Sequence, residues 1–496
     1  MSNKKAILIL SFFVIIVVSF EASILTKIAL WHDEAFSALL SVSSFKEMIY
    51  RTGLDVHPPF YYILLKIWVM IFSNSLFSLR FFSLFWGVLA VFIFYFFVKE
   101  FLKDNAFALV SSILLLINSF FIQFVMEARM FTLGIFLVIL SSFFLLKGLF
   151  TKKRRWWFFY ALTITAGIYT HYYIVFSIIA QAVFLIFYIF KESWFSLKKW
   201  LENKNFRYGF FSYFLAILLF LPWLKTFLYQ NSQVQESYWI PPMNIWSIPA
   251  TFLKLTTGGG IDAPRFWYLM VSLIILIAFA FVYALKNIKQ STKWLVFLLV
   301  AVPFLGAGLF SLKRSVYLDR YFIFTLPFYL LLVMQALWII KNKKIRNCLI
   351  FLAILGSLIS FPVRWARLEV EKKPGMAAAA SYLNQEVKPG EKIYVGSSFV
   401  YFTFKYYNKT GVQPKLYVPG SSLPHFSGTA LLSPEDIIQD FNQETKKDDI
   451  VWMINTTGFG NYQPSVPNHW EKENEKGFQD VYDYQGWIVV TKYQIK

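Results

Sequence analysis

Cysteine occurs once in 496 residues, at Cys348 inside an apolar run, so no intrachain disulfide braces the fold. Charge is scarce as well: Asp, Glu, Lys and Arg make up 15% of the chain, against 57% hydrophobic and 21% aromatic. A soluble core of this length cannot absorb so much apolar surface, so lipid is the solvent for most of it. A Walker-type phosphate loop is missing, because Gly258-Gly259-Gly260 is followed by no Lys-Ser/Thr. There is no internal repeat and no low-complexity tract. The N-terminus has Lys4 and Lys5 ahead of an apolar run but no A-x-A-type cleavage pattern, and reads as an uncleaved first span.

Acidic residues are outnumbered by basic ones, 28 to 48, for a formal charge of +20. A nucleic-acid partner is nevertheless set aside. The basic residues sit in short clusters between apolar runs, such as Lys152, Lys153, Arg154 and Arg155, then Lys341, Lys343, Lys344 and Arg346. That is the pattern of cytoplasmic loops under the positive-inside rule.

Apolar runs of about 18–22 residues match the bilayer in helical rise. They place about eleven spans, near 6–25, 80–98, 107–125, 130–149, 156–172, 173–190, 209–227, 267–285, 294–312, 321–340 and 346–362. The apolar segment Pro58–Phe72 is short and carries Lys66 and Trp68, so it reads as an interfacial helix on the outer surface. Were it to cross, every later basic loop would face outward. After Pro362 the composition changes to shorter apolar runs with frequent Gly, Pro, Asn, Asp and Lys. A helix at 376–387, a Lys388-Pro389-Gly390 turn and strands at 392–395, 450–454 and 486–492 then read as a small α/β domain. The expected fold is a polytopic α-helical membrane protein, residues 1–362, plus interfacial helices. A small C-terminal extracytoplasmic α/β domain, 363–496, completes it.

Charged and polar groups from separate segments gather on the expected outer face. Trp31-His32-Asp33-Glu34-Ala35 follows the first span, and adjacent carboxylates at a membrane boundary are costly unless solvated, paired or functional. Asp55-Val56-His57-Pro58-Pro59, Glu127-Ala128-Arg129 and His171 arrive on the same side. Each alone fits a bland reading: a hydrated loop start, an exposed pair, a hydrogen-bonded packing histidine. Lys313, Arg314 and Arg320 against Asp319 form a basic outer loop where few cations are expected, and an anionic lipid phosphate or plain phospholipid contact accounts for it equally. The long loop 222–266, with its glycines and Tyr238-Trp239, reads as a flexible lid.

In order, these residues resemble the membrane glycosyltransferases of the GT-C superfamily. Within it they look most like the dolichyl-phosphate-mannose protein mannosyltransferase family, which includes the bacterial transferases that put aminoarabinose on lipid A. The likeness lies in Asp33-Glu34, His57-Pro58-Pro59-Phe60-Tyr61-Tyr62, Glu127-Ala128-Arg129-Met130, Thr170-His171-Tyr172-Tyr173 and Asp319-Arg320-Tyr321. It covers about residues 5–362 through order and spacing. The resemblance implies an inverting transfer of a sugar from a polyprenyl-phosphate donor, with Asp33 as the carboxylate at the reaction centre. Glu34 and Glu127 would position substrate or tune Asp33. His57, Arg129, His171, Lys313, Arg314 and Arg320 would bind substrate, the cations neutralising phosphate. The acceptor would be a protein, lipid or glycan at a bacterial plasma membrane.

In the aminoarabinose branch an acid-Lys pair precedes the proline, whereas Val56-His57 stands here. A metal ligand of that branch is thus missing. His57 and His171, near Asp55, have Zn²⁺-binding side chains, which leaves a divalent metal open without assigning one. Two other functions share the features: a lipid-linked sugar transporter or flippase, and a lipid-linked glycan polymerase or ligase. Transporters carry charge at mid-membrane and broken helices in matching halves, a poorer fit to polar groups gathered at one face.

Overall fold

The computed structural model describes the chain except residues 194–196, 237–238, 259–292, 369–374, 421–422 and 481–485. The expected span at 267–285 and residues Gly259 and Gly260 lie outside the described residues.

The first helix, α1 (Asn3–Ile24), buries Ala6, Leu10 and Val14 and leaves Leu8, Phe12, Ile15 and Ile16 on its outer side, the division a lipid-facing helix makes. Four helices follow: α2 (His32–Val42), α3 (Phe45–Leu54), α4 (Phe60–Phe72) and α5 (Leu76–Leu102). Next come α6 (Asn105–Leu116), α7 (Ser119–Val125), α8 (Phe131–Thr151), α9 (Arg154–Ile168), α10 (Ile174–Ser193) and α11 (Leu197–Glu202). The helical region ends with α12 (Lys204–Glu236), α13 (Ser247–Thr257), α14 (Lys293–Ser311), α15 (Leu326–Trp338) and α16 (Lys343–Leu368).

Among the described residues six helices are long and apolar enough to cross a membrane, or seven if α6 and α7 form one broken span. The protein is a multi-pass membrane protein. Helices also stand at the other expected spans within the described residues, but α9, α10 and α16 fall outside that set of six. At 13 residues, α4 is about 20 Å long, short of the roughly 30 Å hydrocarbon core.

Two expectations are corrected. The run 107–125 is broken, with α6 and α7 bent by 62°. The Asn118 side chain accepts from the Phe120 and Phe121 amides and starts a new helix, which an apolar count does not register. The lid expected from residue 222 onward is helical to Glu236, with Pro222 inside α12. Gly258 closes α13 at φ 76°, and a Cβ there would lie 2.3 Å from that of Ser119. It therefore acts as a helix cap at a close crossing, not as a hinge.

Past α17 (Gly375–Glu386) lies a six-stranded sheet in the order β3-β2-β1-β4-β6-β5. Its strands are β1 (Lys392–Val395), β2 (Lys415–Tyr417), β3 (Ile437–Ile438), β4 (Ile450–Thr456), β5 (Trp470–Gln479) and β6 (Trp487–Ile495). The first four run parallel, and β6 and β5 add antiparallel. Helix α18 (Ser398–Tyr407) packs this domain on α2: Phe36, Tyr62 and Leu65 share one buried cluster with Tyr401, Phe402 and Phe404. The Tyr407 hydroxyl accepts from the Leu30 amide at 2.9 Å, and the Tyr406 hydroxyl donates to the Asn74 carbonyl at 2.9 Å.

Candidate active site

The site is built around the start of α2, whose two ends are both clamped. At its C-terminus the buried Lys66 ammonium donates to the carbonyls of Ser41 and Ser43. At its N-terminus Glu34 accepts from Arg80 Nε at 2.8 Å and Nη2 at 2.7 Å, and from the Ala128 amide at 2.8 Å. Glu34 is fully buried. With both oxygens occupied, it ties these segments together at the wall of the cavity described below.

Asp33, its neighbour, stays 30% exposed, with Oδ2 3.6 Å from Arg320 Nη1 and 3.8 Å from Arg129 Nη2. These are charge contacts longer than hydrogen bonds, so the carboxylate retains acceptor capacity. Burial pushes its acidity toward the neutral acid, but Arg129 and Arg320, then His32 and His57, outweigh it and hold the carboxyl below its ordinary range. Asp33 is an anion at any physiological pH.

Arg129 is buried and positioned by donation from Nη1 to the Asp33 carbonyl, the Ser37 hydroxyl and the Tyr62 hydroxyl. Its Nη2 lies 3.3 Å from His57 Nε2. A guanidinium only donates, so Nε2 accepts and the His57 proton sits on Nδ1, donated to Asp55 Oδ2 at 2.8 Å. Both nitrogens of His57 are engaged. Among the described residues no group of three or more His, Cys, Asp or Glu is arranged to hold a metal ion.

A cavity of about 680 Å³ joins Asp33, Asp55, His57, Glu127, Arg129 and Arg320, gathering segments far apart in the chain. Glu127 accepts from Gln123 Nε2 at 3.1 Å. Arg320 lies over the Trp31 ring at 5.6 Å. His171 does not line the cavity. It packs behind it, 4.8 Å from the Tyr321 ring and 6.2 Å from His57, and burial drives its imidazole well below the ordinary range. Its Nδ1 accepts from the Tyr173 amide at 3.1 Å, while its buried Nε2 has no hydrogen-bond partner among the described residues.

Lys313 and Arg314 lie elsewhere: both are exposed on the turn after α14 and neither is among the cavity's described lining residues. A basic loop count cannot tell which cation turns inward. Lys254 on α13 does, paired to Asp319. Neither Lys254 nor Arg80 stood out in the sequence; each was one charge in a segment read as lid or span boundary.

Residues 56–225 match the family model described as dolichyl-phosphate-mannose-protein mannosyltransferase. No curated protein matches the chain by sequence. Among solved structures, ArnT from Cupriavidus metallidurans bound to undecaprenyl phosphate aligns with a TM-score of 0.64 at 13% identity, covering 97% of both chains. The same protein in the apo state gives a TM-score of 0.65 at 12% identity, covering 99% of this chain and 98% of that one. The chain has the GT-C fold of ArnT along nearly its whole length.

Proposed function

We propose that this protein is an inverting glycosyltransferase that moves a sugar from a polyprenyl-phosphate donor to an acceptor outside the cytoplasm of a bacterial cell. The observation that carries the reading is an anionic carboxylate, Asp33, held beside Arg129 and Arg320 at the wall of a cavity. The match to mannosyltransferases over 56–225 and the ArnT fold, in a protein that binds undecaprenyl phosphate, support it.

The acceptor hydroxyl attacks the anomeric carbon from the face opposite the phosphate. The new C–O bond forms as the anomeric C–O bond breaks, and the electron pair leaves on the polyprenyl phosphate. A phosphate leaving group needs no general acid, only positive charge, and Arg129, Arg320 and Lys254 are the cations that meet it. A depressed carboxylate is a weak base toward a free alcohol. The hydroxyl becomes strongly acidic only as it bonds to carbon, so Asp33 first orients it and then takes its proton, releasing it to solvent. The basic clusters between apolar runs support a cavity and sheet domain on the outer side.

The test is transfer of radiolabelled sugar from polyprenyl phosphate in membranes holding the full chain or Asp33→Asn at equal levels. The variant should lose transfer by about 10²–10⁴-fold. Full activity there would sink the central claim.

A further inference from the structure

The cations of the cavity are not held alike. Arg129 is buried, and its Nη1 donates to the Asp33 carbonyl, the Ser37 hydroxyl and the Tyr62 hydroxyl, so the fold fixes its place. Arg320 is anchored at its main chain, where its amide donates to Asp319 Oδ1 at 2.7 Å. Its guanidinium, 33% exposed, meets Asp33 Oδ2 at 3.6 Å, longer than a hydrogen bond, and lies over the Trp31 ring. Lys254 pairs with Asp319 Oδ2, and the two side chains are 38% and 33% exposed. All four of Asp33, Lys254, Asp319 and Arg320 line the cavity, so each of these two cations rests on a carboxylate that is itself open to it.

Part-exposed ion pairs of this kind are weak, because water competes for both partners and ordering long side chains opposes them. A phosphodiester is a better partner. Its unesterified oxygens match a guanidinium fork, and charge-assisted bonds to phosphate are the stronger kind. The sugar donor carries such a diester, and negative charge builds on it as the anomeric bond breaks, so the hold of the cations tightens along the reaction. The exchange also changes Asp33. Arg129, Arg320, His32 and His57 face its carboxylate, and Tyr62 and Tyr321 lie close enough to sense its charge. Burial raises the carboxyl, and Arg129 and then Arg320 lower it. With Arg320 drawn off and a phosphate charge nearby, its affinity for a proton rises.

We propose that Asp33 and Asp319 hold Arg320 and Lys254 until the donor phosphate takes both cations, and that this exchange frees Asp33 for the acceptor hydroxyl. The donor therefore binds before the acceptor is activated, and Asp33 in an empty cavity is a poor base. Asp319 is a positioning residue: its Oδ2 holds one cation and its Oδ1 holds the main chain of the other. When polyprenyl phosphate departs, Arg320 returns to Asp33 and favours release of the proton taken up there. This rests on the glycosyltransferase reading above.

The test is a pair of double-mutant cycles on the purified full chain in detergent, read by affinity for undecaprenyl phosphate. Asp33→Asn should bind this lipid about two- to fivefold more tightly, the strength of a part-exposed ion pair. That gain should vanish in the Arg320→Ala background. Asp319→Asn, which keeps the Oδ1 acceptor, should show a gain of the same size that vanishes in the Lys254→Ala background. Absence of either gain, or a gain that persists with the cation removed, overturns the proposal. Infrared difference spectroscopy gives a second readout, with the Asp33 carboxyl assigned as the signal missing from Asp33→Asn. It should titrate about one pH unit higher with undecaprenyl phosphate bound, and an unmoved titration overturns the freeing of Asp33. Failure of the glycosyltransferase reading looks different: the unaltered chain binds no undecaprenyl phosphate and transfers no sugar from polyprenyl phosphate. That result removes both.

Discussion

Arg80 grips Glu34 with both arms of its guanidinium fork, Nε at 2.8 Å from Oε1 and Nη2 at 2.7 Å from Oε2, in a pair that is almost wholly buried. The same guanidinium donates from Nη1 to the carbonyls of Leu25 and Ile28, and from Nη2 to that of Ala29. Glu34 meanwhile takes the Ala128 amide. One ion pair thus ties the chain leaving α1, the helix that bears Asp33, and the turn that bears Arg129.

Removing Arg80 strands a buried carboxylate and three carbonyl acceptors. Arg80→Ala should destabilise the protein by about 3–5 kcal/mol. Arg80→Lys should recover little, since an ammonium cannot reproduce the planar fork. Thermal unfolding in detergent reads this directly, and an unfolding temperature matching the unaltered protein in both variants would refute the role.

Adjacent carboxylates should part company when each is neutralised. Asp33→Asn should lower transfer by about 10²–10⁴-fold, the scale of a lost general base, with little change in unfolding temperature because the side chain is partly exposed. Glu34→Gln should show the reverse emphasis, a clear drop in unfolding temperature from a broken buried pair. Measuring transfer and unfolding on both variants separates the roles; equal profiles for the two would contradict them.

Much of this was legible in the sequence, for identifiable reasons. Long apolar runs announce helices because bilayer thickness fixes their length, and α1, α5 and α8 lie where those runs do. In the sheet domain, turn residues marked β1, β4 and β6, but β5 escaped. Its Glu471, Lys472, Glu473 and Lys476 are exposed, so it shows no apolar alternation and reads as a solvated charge run. Asp33, Arg129 and Arg320 were recoverable as charges at the ends of apolar runs. Their placement relative to Glu34, Lys313 and Arg314 was not. Which charge turns inward is decided by partners such as Arg80 that are distant in the chain.

Three cations in one short stretch give a sharp comparison. Arg320 lies 3.6 Å from Asp33 and lines the cavity, whereas Lys313 and Arg314 are exposed outside it. Arg320→Ala should cost about 10²–10³-fold in kcat, as for loss of one preorganised charge-stabilising donor. The double variant Lys313→Ala and Arg314→Ala should retain full transfer. A loss of the same size in the double variant would show that the outer turn, not the cavity, holds the phosphate.

The sheet domain carries its own acid limit at Asp436. Burial alone would raise this carboxyl, but hydrogen bonds from Lys405, Ser433 and Tyr401 outweigh it and bring it to about 2. A carboxyl depressed on folding stabilises fully above its unfolded value, about 3.9, and loses that contribution as pH falls through the folded one. The gap corresponds to about 2–3 kcal/mol, present at neutral pH and lost between roughly pH 4 and pH 2. Asp436→Asn should therefore be less stable at neutral pH and should flatten the acid limb over that window. Tryptophan fluorescence follows it, since Trp452 and Trp470 are buried in the same domain. An unaltered acid limb in Asp436→Asn would mean that other carboxylates set the limit.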